Sequence, residues 1–191
     1  MRTSFLSNDK RDSLFRYLIN HPQEPLKVRS IATKLGFAPS FVSVFLKSLR
    51  KEGLVKNDSL DSGSPELRSW KILLNIQAIS PHLNKFAKAI GAKGIGLYGS
   101  CSDGTDTPES DLDLWVKTDL PPSDIAIAKA KSLLREATGR EISVFIVTKE
   151  RIISLQKTDP PLYCSLTHSF HLWGEMLNQV LADKIPKKTS S

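Results

Sequence analysis

The stretch LYGSCSDGTDTPESDLDLWV, residues 97–116, decides how the rest of this sequence is read. A short apolar run, Ile95–Tyr98, breaks at Gly99-Ser100, and after a loop rich in Asp, Gly, Thr and Pro the chain resumes as Asp111-Leu112-Asp113-Leu114-Trp115-Val116. This second run alternates with period two, so a strand there turns Asp111 and Asp113 to one face and Leu112, Leu114 and Val116 to the other. From the rise per residue, the two carboxylates stand about 6.6 Å apart along the strand. Like charges so placed raise one another's pKa unless a cation lies between them. Mg²⁺ (or Mn²⁺) suits the place, because Mg²⁺ takes carboxylate oxygens and keeps water and substrate phosphate in its remaining positions. Gly99 lets backbone approach a triphosphate, and Ser100 offers a hydroxyl and an N–H to its outer oxygens.

Working outward, Ile79, Leu83, Phe86, Ala87 and Ile90 repeat at helical spacing and predict a helix from Gln77 to Ile90, ended by Gly91. Downstream, Pro121-Pro122-Ser123 opens an Ala- and Lys-rich helix through Ala137 that Gly139 ends, and REISVFIVT (140–148) is a further strand. The tail predicts a short helix, a Pro break and a helical pair anchored by Leu166, Phe170 and Trp173, then a disordered basic end. The four histidines form no metal-ligand set, although His168 and His171 stand three apart on the expected helix. Cys101 is expected as a small residue beside the loop and not as a reactive thiol.

In the first third, Leu14, Phe15, Leu18 and Ile19 share one helical face, with Ser7 or Asn8 as N-cap and Pro22 beyond the end. Val28, Ile31, Ala32 and Leu35 form a second helix that stops at Gly36. Pro39 opens a third, whose apolar face is Val42, Phe45, Leu46 and Leu49 and which ends at Lys51-Glu52-Gly53. LRSWKILL (67–74) alternates well enough for a wing strand. The third helix carries Ser40, Ser43 and Lys47 on the face away from its apolar stripe, with Arg50 and Lys51 near its end. Such residues reach base edges and neutralise phosphates in a major groove. The alternative is a docking or dimerisation module, in which the chain pairs as a homodimer.

Two resemblances follow. Residues 30–57 resemble the winged helix-turn-helix domains of prokaryotic transcription regulators. Residues 97–116 resemble the signature of the minimal nucleotidyltransferases of the DNA polymerase β superfamily: apolar strand, Gly-Ser, ten residues, Asp-x-Asp. Here the ten are Cys101 to Ser110, and Gly104, Pro108, Glu109 and Ser110 fall where family members commonly have Gly, Pro, an acid and Ser. The fold implied is α/β (α+β), a winged helix-turn-helix over 1–75 followed by a polymerase-β-like domain with a small mixed sheet over 76–191. The activity implied is metal-dependent transfer of a nucleoside monophosphate, AMP from ATP in the first place, to a hydroxyl. Asp111 and Asp113 would hold the metal, and Gly99 and Ser100 the β- and γ-phosphates. Family members add a third carboxylate on the last strand. The alignment sets Ser143 in its place and Glu141 two residues earlier; Glu141 is the candidate third catalytic carboxylate with Asp111 and Asp113, a longer acid that reaches the site, and the alternative is a solvated strand-edge charge. Many relatives carry Arg where this sequence has Cys101 and Asp103, so the phosphates meet less positive charge. Some relatives are antitoxins that nucleotidylate a partner toxin, so a protein hydroxyl joins small molecules and RNA ends among the acceptors.

Composition agrees with a soluble two-domain chain. Of 191 residues, 40% are hydrophobic and 25% charged, and no apolar run approaches the roughly 20 residues of a membrane span. The N-terminus has no apolar signal core, and two cysteines are too few for a disulfide framework, so the expected place is a reducing cytoplasm. Residues 1–75 hold 13 basic and 7 acidic residues, net +6, whereas 76–191 hold 14 and 13, net +1. The polyanion-seeking charge therefore lies in the first domain, where DNA or RNA is the expected partner. A second function class remains open at this level: a DNA-binding regulator whose second domain binds nucleotide without turning it over.

Overall fold

Apolar residues at helical spacing build the first unit of this protein, seen in a computed structural model that describes residues 9–177. The chain divides into two compact units between Leu74 and Asn75. In the first, α1 (Asp9–Asn20), α2 (Val28–Leu35) and α3 (Pro39–Lys51) pack Leu14, Phe15, Leu18, Ile31, Val42, Phe45, Leu46 and Leu49 into one core. Gly36 closes α2 in the left-handed conformation (φ 67°, ψ 30°), as the turn between two such helices needs. A two-residue turn, Asn57 (φ 49°) and Asp58 (φ 59°), joins β1 (Val55–Lys56) to β2 (Ser59–Leu60). Positive φ at both central residues gives a hairpin that Asn and Asp tolerate better than other non-glycine residues.

The expected wing strand over 67–74 is a helix instead, α4 (Pro65–Ile79). Trp70, Ile72 and Leu74 alternate, but Leu67, Trp70 and Leu74 also repeat at i, i+3, i+7, and it is this stripe that packs on the core. Phe15 meets the Trp70 ring edge to face at 5.7 Å. Ser64 caps the helix, accepting from Leu67 N, and Pro65 suits its first turn. The single helix expected over 77–90 is likewise divided. Pro81 lacks the N–H that would continue the ladder, so α4 gives way to a 3₁₀ turn at Ser80–His82 and then α5 (Leu83–Ile90).

The second unit is a four-stranded mixed sheet in the order β5-β4-β3-β6. Strand β3 (Gly94–Tyr98) lies antiparallel to both β4 (Leu112–Lys117) and β6 (Phe170–Gly174), while β5 (Ile142–Val147) runs parallel to β4 after the crossover helix α7 (Asp124–Thr138). Leu112, Leu114 and Val116 join Ile95, Leu97 and Ile142 on the face covered by α5 and α7. Trp115 and Val147 face the other way, against α8 (Lys149–Thr158) and α9 (Pro160–Thr167).

The expected helical pair at the tail is corrected within the described residues: Pro160–Thr167 is helical as α9, but Phe170–Gly174 forms β6 on the edge of β3. Phe, His, Leu and Trp suit a pleated surface, and the open edge of β3 offers the hydrogen bonds that reward it. Trp173 still anchors the segment, donating from Nε1 to Asn84 Oδ1 at 2.8 Å, but His168 and His171 do not share a helix. The proposed caps Ser7 and Asn8 and the basic end beyond residue 177 lie outside the described residues. No helix among the described residues is long and apolar enough to cross a membrane.

Candidate nucleotide site

Gly99 is where the site begins. It ends β3 at φ 67°, ψ −156°, a region open essentially to glycine alone, and caps the four-residue helix α6 (Ser100–Asp103). A Cβ there would lie 2.6 Å from Asp113 Oδ2, so the loop backbone can sit against that carboxylate only as glycine. Ser100 stands at the first position of α6, half-buried, and Ser102 Oγ donates to Gly99 O at 2.7 Å.

Asp113 is flanked by Tyr98 on β3 and Ser143 on β5, its register partners on either side. Burial holds its pKa above the usual aspartate value and the Asp111 charge adds to that, while a hydrogen bond from Ser143 and the charge of Arg140 pull down. Tyr98 is also pushed up, by burial first and by Asp113 second. Asp111 precedes β4 and is exposed. The sequence-predicted Gly99, Asp111 and Asp113 thus meet at one end of the sheet.

Glu141 does not join them. Its carboxylate is 56% exposed and ion-paired with Arg135 Nη2 of α7 at 2.8 Å. It precedes the first residue of β5, where the side chain turns toward the helix, and a cleft beside it is lined by Ala128, Lys131, Ser132 and Arg135. Of the two readings offered for Glu141, the geometry matches the solvated strand-edge charge, and Ser143 is the residue that neighbours Asp113. Among the described residues no third His, Cys, Asp or Glu completes a metal cluster. Two carboxylates suffice for Mg²⁺ when substrate phosphate and water complete its octahedron, so the donor set fits such an ion.

Sequence reasoning missed the network behind the loop. Arg140 reaches Asp106 Oδ2 (3.0 Å), Asn75 Oδ1 (3.3 Å), Ser110 O (2.6 Å from Nη2, 3.0 Å from Nε), Thr107 O (3.2 Å) and Cys101 Sγ (3.4 Å). Asn75 in turn donates to Asp106 Oδ1 and Cys101 O. Nothing in the period of REISVFIVT marks Arg140. Nor does Asp106 stand out in its polar loop; that it is only 2% exposed, and so needs a partner, is visible in the fold alone. Cys101 is buried, donates to Asp111 O at 3.2 Å, and has its thiol pushed up to about 11 by burial, which keeps it protonated and inert as expected.

On α3, Ser40, Lys47, Arg50 and Lys51 are exposed and Ser43 is half-buried. Arg50 pairs with Asp58 of the hairpin at 2.8 Å. Val44, 60% exposed, completes the outward stripe at 40, 43, 44 and 47, which the helical period alone could have shown.

Residues 16–57 match the model of the bacterial regulatory proteins of the arsR family, and residues 80–160 match that of the nucleotidyltransferase domain. No curated protein matches the sequence significantly. Similar solved structures include a mutant MntA–HpeT toxin–antitoxin complex (21% identity over 53% of this chain and 78% of that one, TM-score 0.39). A toxin–antitoxin complex with AMP-PNP is 23% identical over 53% and 78% of the two chains, with TM-score 0.39. A tri-AMPylated HEPN toxin with its MNT antitoxin, from Shewanella oneidensis, is 20% identical over 59% and 85%, with TM-score 0.36.

Proposed function

Starting from a helix-turn-helix domain followed by a nucleotidyltransferase domain, we propose that this chain transfers a nucleoside monophosphate, AMP from ATP in the first place, to a hydroxyl acceptor. The observation that carries the reading is the packing of Gly99 against Asp113, which joins a Gly-Ser turn to a carboxylate pair at one sheet end. Asp111 and Asp113 would hold Mg²⁺ or Mn²⁺, which when bound neutralises charge on the α-phosphate and on the leaving pyrophosphate. Gly99 leaves room for the phosphate chain, and Ser100 supplies a hydroxyl and a first-turn N–H to it. The acceptor oxygen forms a bond to the α-phosphorus, the bond to the bridging oxygen breaks, pyrophosphate leaves, and the hydroxyl proton passes to solvent.

The first domain is read as the contact to duplex nucleic acid, through Ser40, Ser43, Lys47, Arg50 and Lys51. Val44 adds an apolar group of the kind that meets a thymine methyl. The acceptor belongs to a partner: a protein hydroxyl, as in antitoxins of this motif, an RNA end or a small molecule.

Ser143 beside Asp113 favours a second reading, a regulator that binds nucleotide without turnover. Pyrophosphate release from ATP, GTP, CTP and UTP with Mg²⁺ or Mn²⁺ and a panel of acceptors separates the two. Release lost in Asp113→Asn supports transfer. Metal-dependent ATP binding with no release under any condition supports the sensor.

A further inference from the structure

Arg140 and the loop it holds carry an inference that rests on the metal site proposed above and deepens it. A guanidinium has five N–H donors. Here they make contacts to Ser110 O, Thr107 O, Asp106 Oδ2, Asn75 Oδ1 and Cys101 Sγ, and the side chain is only 16% exposed. An arginine near a phosphate loop would ordinarily be read as a phosphate ligand, and this loop has Cys101 and Asp103 in place of basic residues. The geometry argues against that role, because the donors of Arg140 are committed to the protein itself.

What they hold is the loop between Gly99 and Asp111 at both ends. Toward its start, Cys101 Sγ accepts from Arg140 and donates to Asp111 O at 3.2 Å. Toward its end, Ser110 O takes two bonds from Arg140, one residue before Asp111. In the middle, Asp106 is bound by Arg140 and by Asn75. Asp111 itself is exposed and lies outside β4, so its position depends on these bonds more than on the sheet ladder.

We propose that Arg140 is a positioning residue for the acid pair: it clamps the Gly99–Asp111 loop so that Asp111 stands where it and Asp113 share one divalent cation. Lysine cannot take its place, since one ammonium cannot reproduce a planar fork spread over carbonyls, a carboxylate and an amide.

The test is a titration of Mn²⁺ into the full chain at a fixed concentration of a non-hydrolysable ATP analogue, with melting temperature recorded for each variant. Arg140→Lys and Arg140→Ala are expected to weaken Mn²⁺ affinity about tenfold or more, the usual cost of losing support behind a metal ligand. The double variant Asp106→Leu with Arg140→Met guards against misfolding, because replacing a buried ion pair by apolar groups often preserves stability. It leaves Ser110 O and Thr107 O without their donor, so it is expected to melt somewhat below wild type but above the Arg140→Ala variant, to be folded at the titration temperature, and still to lose Mn²⁺ affinity. Arg140→Lys or a well-folded double variant that titrates like wild type overturns the proposal. If wild type itself takes up no Mn²⁺, the metal reading has failed, and the clamp is then judged by amide exchange over residues 101–111. That exchange must quicken in Arg140→Lys without a matching fall in melting temperature, and unchanged exchange overturns the clamp as well.

Discussion

Individual residues at the sheet end divide into the acids proposed to bind metal, of which Asp113 is held at a cost to stability, and the residues that hold them in place. Asp113 has its folded pKa raised, burial being the first cause. Folding therefore favours its protonated form, and above its titration range the ionised group costs stability that is recovered as pH falls through it. Asp113→Asn should raise the melting temperature at pH 7, with the advantage shrinking toward acid pH. The same variant should weaken metal-dependent ATP binding at least about tenfold. Calorimetry across pH reads both effects, and a melting temperature lowered at pH 7 would contradict the sign. Gly99→Ala combines a strained backbone with a Cβ 2.6 Å from Asp113 Oδ2. It should cost about 1–3 kcal/mol in denaturant unfolding and abolish nucleotide binding. Because Glu141 is paired with Arg135, Glu141→Gln should release pyrophosphate like wild type, whereas Ser143→Asp, next to Asp113 on β5, should raise the rate; a dead Glu141→Gln would return that residue to the site.

At the scale of elements, helices with a single periodic signal were legible and segments with two were not. The stripes of α1 to α3 and the Gly36 stop follow from residue spacing, and so do the Ser123 cap and Gly139 end of α7. Residues 67–74 fit period two and period 3.6 alike, and only the presence of the Phe15 and Phe45 surface made the helical stripe the better buried one. Trp70, half-buried against this core, should on replacement by Ala destabilise the first unit by about 2 kcal/mol, less than the loss of a fully buried aromatic. Urea unfolding of the full chain followed by circular dichroism checks this, and a cost below about 1 kcal/mol would place Trp70 outside the core. Strand β6 was hidden for a related reason: its partner edge on β3 lies far away in sequence.

For the whole molecule, the uneven charge yields a prediction that needs no side-chain geometry. Duplex DNA binding should weaken steeply with salt, since each neutralised phosphate releases counterions. Lys47→Ala should lower the slope of log K against log salt by about one without changing sequence preference. Gel-shift titrations at several salt concentrations measure it, and a salt-independent affinity would remove the nucleic-acid role. By itself, the sequence marked the candidate residues Gly99-Ser100 and the Asp111/Asp113 pair and the stripes of α1 to α3, because spacing along a strand or helix is local and is written in period and order. The tertiary structure alone decided what stands beside Asp113, where Glu141 turns and what Arg140 holds. Those facts depend on strand register and on contacts such as Arg140 to Asn75, 65 positions apart, and no local period encodes which distant groups will meet.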